Sequence, residues 1–231
     1  MKAFVVGLVV LLGVALLADR VGVGIAEDRV AGEVAAEGGL QGTPEVEITG
    51  FPFLTQALGG RYEEVRISLT ADQLGQPEGT RADVALHGVQ VPLSAALAGT
   101  VQEVPVERID GTATLSYELL ATGLGADTTL AREGDGLRIT RTVEVFGRAV
   151  PLTAFGQATL DGSEVVIDVE TAAGAGVELP GFVVQQATDL LDLRYAVPAL
   201  PFGLRLTSVT PGDDGVVVGL EATDTIIGAP E

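Results

Sequence analysis

The feature that most restricts what this chain can become is a period of two. Apolar and polar side chains alternate through Glu45–Thr49, Val65–Thr70, Val84-Ala85-Leu86, Val104-Pro105-Val106 with Ile109, and Arg138–Val145. Thr159-Leu160, Val165–Val169, Leu204-Arg205-Leu206 and Val216–Leu220 continue the pattern. Successive side chains of a strand point to opposite faces, so alternation marks strands with one buried and one wet side. Sheets of that kind are antiparallel. Glu133-Gly134-Asp135-Gly136, Asp161-Gly162-Ser163 and Pro211–Gly215 separate the runs as hairpin turns do. The expected body is therefore an antiparallel meander. Its 31 glycines suit a strongly bent sheet.

Short helices are expected to interrupt the strands at Phe53–Leu58, at Leu93–Leu97 behind Pro92, and at Tyr117–Thr122. A longer helix is read over Phe182–Leu193, because Phe182, Val183, Gln186, Leu190 and Leu193 follow a helical stripe. His87–Ser94 and Phe146–Thr153 share the pattern x-Gly-x-x-Val-Pro-Leu-Ser/Thr, a weak internal echo that two similar strand-to-proline corners explain as well as a duplication does.

The N-terminus is of another kind. Met1-Lys2 precedes Ala3–Leu17, fifteen residues without a polar side chain, and then Ala18-Asp19-Arg20. A positive start before an apolar run of this length predicts export. Residues 1–18 are read as a signal peptide or a signal anchor. The run is short for a bilayer span of about 20 residues, and Ala15 and Ala18 are spaced three apart rather than two. Asp19 to Glu37 then carries Val21, Ile25, Val30 and Val34 at helical spacing, closed by Gly38-Gly39. Residues 19–231 are read as one domain.

Composition excludes several functions. The net charge is −19, from 32 acidic against 13 basic residues, which argues against nucleic acid as a partner. It argues equally against long-range attraction to an anionic membrane. Cysteine is absent, and His87 is the single histidine, so thiolate and multi-histidine metal sites are ruled out. His87 reads as a strand-end residue, and no Ser sits in a G-x-S-x-G elbow. Gly123-Leu124-Gly125 and Gly174-Ala175-Gly176 lack the spacing of a phosphate loop. Glu63-Glu64 and Asp213-Asp214 read as wet turns rather than calcium ligands. Arg138, for which a lipid phosphate is one conceivable partner, is expected to pair with a neighbour such as Glu133. No catalytic residue, cofactor or metal is expected.

Gly50-Phe51-Pro52-Phe53-Leu54-Thr55-Gln56 is uncharged and holds two of the seven Phe. With Gly60-Arg61-Tyr62, Leu86-His87-Gly88-Val89, Val91-Pro92-Leu93, Gly111-Thr112-Ala113 and the Ala-Asp-Arg end of the apolar run, it resembles the LmeA-like family of phospholipid-binding envelope proteins of actinobacteria. The resemblance implies an α+β fold similar to one half of the bactericidal/permeability-increasing proteins. In that fold a long curved antiparallel sheet wraps a helix as a tube and leaves an apolar groove for acyl chains. It also implies an extracytoplasmic, periplasm-like location, phospholipid and membrane as partners, and a part in lipomannan and lipoarabinomannan-type mannan elongation. An envelope glycosyltransferase is a further partner on this view. A scaffold for envelope polysaccharide-synthesis enzymes, without lipid transport, is the alternative. Phe51, Phe53, Leu54, Phe155, Phe182 and Leu190, apolar and outside the clear strands, are the expected groove lining.

Overall fold

The computed structural model describes residues 2–124, 127–145, 148–174, 193–196 and 203–228. One helix, α1 (Lys2–Glu37), joins the apolar run to the amphipathic stretch without a break. Gly38-Gly39 ends it, with Gly39 at φ 60° and the Gly38 N–H on the Val34 carbonyl at 2.9 Å. Past this helix the chain is mostly antiparallel sheet, as the alternation requires.

Six strands form one sheet in the order β1-β2-β3-β4-β11-β10, and five form a second in the order β5-β6-β7-β8-β9. The first comprises β1 (Glu45–Thr49), β2 (Arg61–Leu69), β3 (Arg81–Gln90), β4 (Glu103–Ser116), β10 (Arg205–Pro211) and β11 (Gly215–Gly228). The second comprises β5 (Thr128–Glu133), β6 (Gly136–Val145), β7 (Arg148–Asp161), β8 (Glu164–Gly174) and β9 (Leu193–Ala196). All three expected hairpin turns are present. Glu133 pairs Gly136, Asp161 pairs Glu164, and Pro211 pairs Val216.

The short helices fall where expected, as α2 (Phe53–Gly59), α4 (Leu93–Ala98) and α5 (Tyr117–Leu124). A four-residue helix α3 (Ala71–Leu74), held by a capping box between Thr70 and Gln73, was not expected. Strand β5 was not expected either. One corner is corrected: Val150-Pro151 lies inside β7, where Pro151 pairs Thr142 across the ladder, so only Val91-Pro92 turns out of a strand into a helix. The helix expected over Phe182–Leu193 lies outside the described residues save for Leu193, which opens β9.

The chain divides into two compact units, between which β3, β4 and β11 are shared. The first holds residues 1–69, 83–109 and 222–231; the second holds 70–82 and 110–221. The second unit carries the larger core. Leu120 and Leu124 of α5 pack with Leu130, Leu137, Ile139, Ala154, Val165, Ile167 and Val169 of the five-stranded sheet and with Val216 and Val218 of β11. Each strand presents alternate residues to it, as period two demands. In the first unit α1 lies against β1 and α2, and Ala31, Val46, Ile48, Phe53, Ala57, Val65, Val89, Val106 and Ile109 are buried.

Candidate functional site

The uncharged block at residues 50–56 forms a joint between α1 and the sheet. Pro52 is the N-cap residue of α2, and no side chain of α2's own turn caps its first N–H groups. The acceptor comes from α1: the Leu54 N–H donates to Asp19 Oδ1 at 2.8 Å. Asp19 is only 2% exposed, so its carboxylate acts as a cap supplied from 35 residues away. One turn further on, Gly22 faces the Phe53 ring, where even a Cβ would sit in ordinary contact at 3.5 Å. Arg20 lies over the Phe51 ring at 5.4 Å. Glu27 accepts the Ile48 N–H at 2.9 Å, which covers a donor on the edge strand β1.

The rest of the block closes on itself. Thr55 Oγ1 donates to the Pro52 carbonyl at 2.7 Å. Gln56 clasps the connection twice, donating to the Thr49 carbonyl at 3.1 Å and accepting the Glu63 N–H at 2.8 Å. Gly50 needs its positive φ of 96°, and a Cβ there would press on the Gln56 amide. Phe53 is buried beside Tyr62 with ring centroids 6.1 Å apart, and burial holds the Tyr62 phenol above its ordinary value.

Of the residues expected to line a groove, Phe51, Phe53 and Leu54 are brought together at this joint. Phe51 is 59% exposed and Leu54 38%, whereas Phe53 faces inward at 7%. Phe155 belongs to the second unit. Expected outside the strands, it instead lies within β7, partly exposed under the Arg138 guanidinium in an open cleft of about 420 Å³ lined also by Glu133, Asp135, Gln157 and Glu170. Phe182 and Leu190 lie outside the described residues.

Leu58, Leu97, Val101 and Ile226 were not among the residues expected to line a groove, yet all four are exposed. Together with Phe51 and Leu54 they are, among the described residues, the large exposed hydrophobics of the first unit outside α1. In α1 the apolar residues from Phe4 to Leu17 stand free, and the helix is long and apolar enough to cross a membrane.

The charged candidates are engaged locally. His87 Nδ1 lies 3.4 Å from Glu64, whose other oxygen meets Arg66 Nε at 2.5 Å. Arg138 pairs with Glu133, as expected. Asp213 and Asp214 pair with Arg132 and Arg81 at 3.1 and 3.2 Å. Among the described residues no group of three or more His, Asp or Glu is placed to hold a metal.

No curated protein and no solved structure matches the chain. A family model described as LmeA-like phospholipid-binding matches residues 17–221, from the last turn of the apolar run to the end of the second unit. That span takes in Asp19, Arg20 and the whole of the joint they make with residues 50–56, and the chain is a member of the LmeA-like phospholipid-binding family.

Proposed function

We propose that this is an exported, non-enzymatic lipid-binding protein of the cell envelope. Residues 19–231 form a single lipid-binding domain that holds the acyl chains of a phospholipid or a lipoglycan precursor. The observation that carries the reading is the phospholipid-binding family match over residues 17–221. The apolar groove proposed for these acyl chains takes its lining from Phe51 and Leu54, which stand exposed at the joint. The apolar surplus of the chain supports it, since each buried CH₂ contributes about 0.8 kcal/mol and a long chain binds without a specific polar contact. The free apolar half of α1 supports export. In the envelope of an actinobacterium the cargo supports mannan elongation of the lipomannan type, delivered to a membrane glycosyltransferase.

The test is extraction of the purified protein followed by lipid mass spectrometry, with uptake of added phospholipid measured in parallel. Stoichiometric co-purifying phospholipid is expected. A lipid-free protein that takes up none from vesicles overturns the reading.

A further inference from the structure

The structure shows where the apolar run meets the fold. Leu17 ends the run, and two residues later Asp19 is already buried and bonded to α2. No linker intervenes. A cut beside Ala18 would make Asp19 the first residue of the chain. It would put an ammonium group beside the capping carboxylate and fray the turn that holds it, because terminal helical N–H groups lack partners. The cap on α2 is therefore supplied by a residue whose own helical turn such a cut would open.

The six exposed hydrophobics of the first unit share one end of its sheet. Phe51, Leu54 and Leu58 belong to the β1–β2 connection, Leu97 and Val101 to the β3–β4 connection, and Ile226 to the C-terminal end of β11. The Val91 N–H donates to the Gly60 carbonyl at 2.9 Å and ties the first two connections together. Gly228 lies against Gln102, where a Cβ would come within 3.3 Å of its carbonyl. This is also the end that Asp19 holds.

Length supplies the occupant. Fifteen helical residues rise about 22 Å, while a bilayer core is about 30 Å thick. The shortfall of roughly 8 Å is about one and a half helical turns. Measured from Leu17, it falls on the stretch of α1 that carries Asp19, Arg20 and Gly22, beside Phe51, Phe53 and Leu54. The one acid in that stretch, Asp19, is shielded from lipid by α2. The Arg20 guanidinium lies over the Phe51 ring and 3.7 Å from Asp19, yet its side chain is 64% exposed and stands at the level of the headgroups.

We propose that residues 1–18 are retained as a membrane anchor and that the α2–α4 end of the first unit rests in the interfacial layer of the same bilayer. The six hydrophobics supply the apolar depth that the short run lacks. The proposal rests on the export reading above and shares Phe51 and Leu54 with the groove proposed there.

The chain has no Trp, so a single introduced indole reports its own depth. Full-length Leu58→Trp and Leu97→Trp are reconstituted into phosphatidylcholine vesicles with or without brominated acyl chains. Glu45→Trp, at the start of β1 and away from the joint, is the reference. Bromine is expected to quench the indole emission of the Leu58→Trp and Leu97→Trp proteins at least about twofold, as for side chains about 5–10 Å into the headgroup boundary. The emission of the Glu45→Trp protein is expected to stay unchanged. Intact mass of the membrane-extracted protein is expected to include residues 1–18.

Equal quenching at all three positions, or none, overturns the surface assignment. So does emission that shifts with protein concentration but ignores bromine, which would mean a second copy covers the patch. A mass lacking the first eighteen residues overturns the anchor. Circular dichroism identifies a variant that misfolds, and the two independent positions keep the surface test decisive if one does. Absent quenching with phospholipid still co-purifying would sink this inference and leave the proposed function standing.

Discussion

Asp19 shows how much a single side chain can settle. A proline N-cap leaves the first turn of α2 without a local acceptor, and the carboxylate from α1 fills that place. Asp19→Ala is expected to lower stability by about 0.5–2 kcal/mol, the usual loss for a cap, read as a drop in thermal midpoint in detergent. Asp19→Asn keeps an acceptor and should lose less. Tyr117 is the residue with a pH signature. Its hydroxyl donates to the Gly212 carbonyl at 2.6 Å. Burial raises its phenol above the ordinary 10.0; Asp213 and Asp214 push the same way and Arg132 opposes them. A raised native value means that the folded state holds the proton longer. The stability this contributes is complete below 10.0 and is lost as pH climbs through the native value. Urea midpoints taken across that window are expected to fall, and more steeply than in Tyr117→Phe. The Phe variant itself should be weaker at neutral pH by about 0.5–1.5 kcal/mol for the lost hydrogen bond.

Among the elements, strand β7 and helix α5 decide whether the second unit packs. The register of β7 against β8 shifts between Phe155 and Gly156. A Cβ at Gly156 would collide with the Asp168 carbonyl, which is backbone and has little room to yield. Gly156→Ala is expected to destabilise by about 1–3 kcal/mol or more, since the bulge must move to admit a methyl. Leu120 of α5 is fully buried among both sheets of the unit, and Leu120→Ala should cost about 2–5 kcal/mol. Leu58→Ala, at 75% exposure, should stay within about 0.5 kcal/mol of the parent. Denaturant midpoints of the three variants measured side by side check the order.

Legibility in the sequence followed the same division. Strands with apolar alternation and Asp-Gly turns announced themselves, because burial on one face leaves a period that can be counted. Strand β5 escaped because it buries Thr128 with Leu130, and the Ala131-Arg132-Glu133 end carries no alternating signal. Helix α3 is too short for any periodicity. At the joint the block 50–56 was conspicuous, and its apolar face was foreseen at Phe51 and Leu54. Its partner was not, since nothing local tells Leu54 that its acceptor lies 35 residues earlier. That Leu58, Leu97, Val101 and Ile226 share a surface escaped for a related reason. Each is a single apolar residue near a turn, and only folding places all four at one end of a sheet.

For the molecule as a whole, a net charge of −19 sets how it meets lipid surfaces. Repulsion should slow its approach to anionic donor vesicles, and salt shortens the reach of that repulsion, from about 10 Å at 0.1 M to about 3 Å at 1 M. Phospholipid uptake from anionic vesicles is therefore expected to speed up with ionic strength, while uptake from zwitterionic vesicles stays nearly flat. A rate that fell with salt would point to a basic docking patch instead.

The unbroken helix α1 has one more consequence. A glycine- and serine-rich tether of 36 residues would let a domain wander over roughly 30 Å and change its facing at will. A helix seated directly in the fold permits neither. With residues 1–18 retained in the bilayer as proposed above, such a mounting would hold the first unit at a constant depth and a constant heading, leaving drift within the plane of the membrane as its only wide freedom.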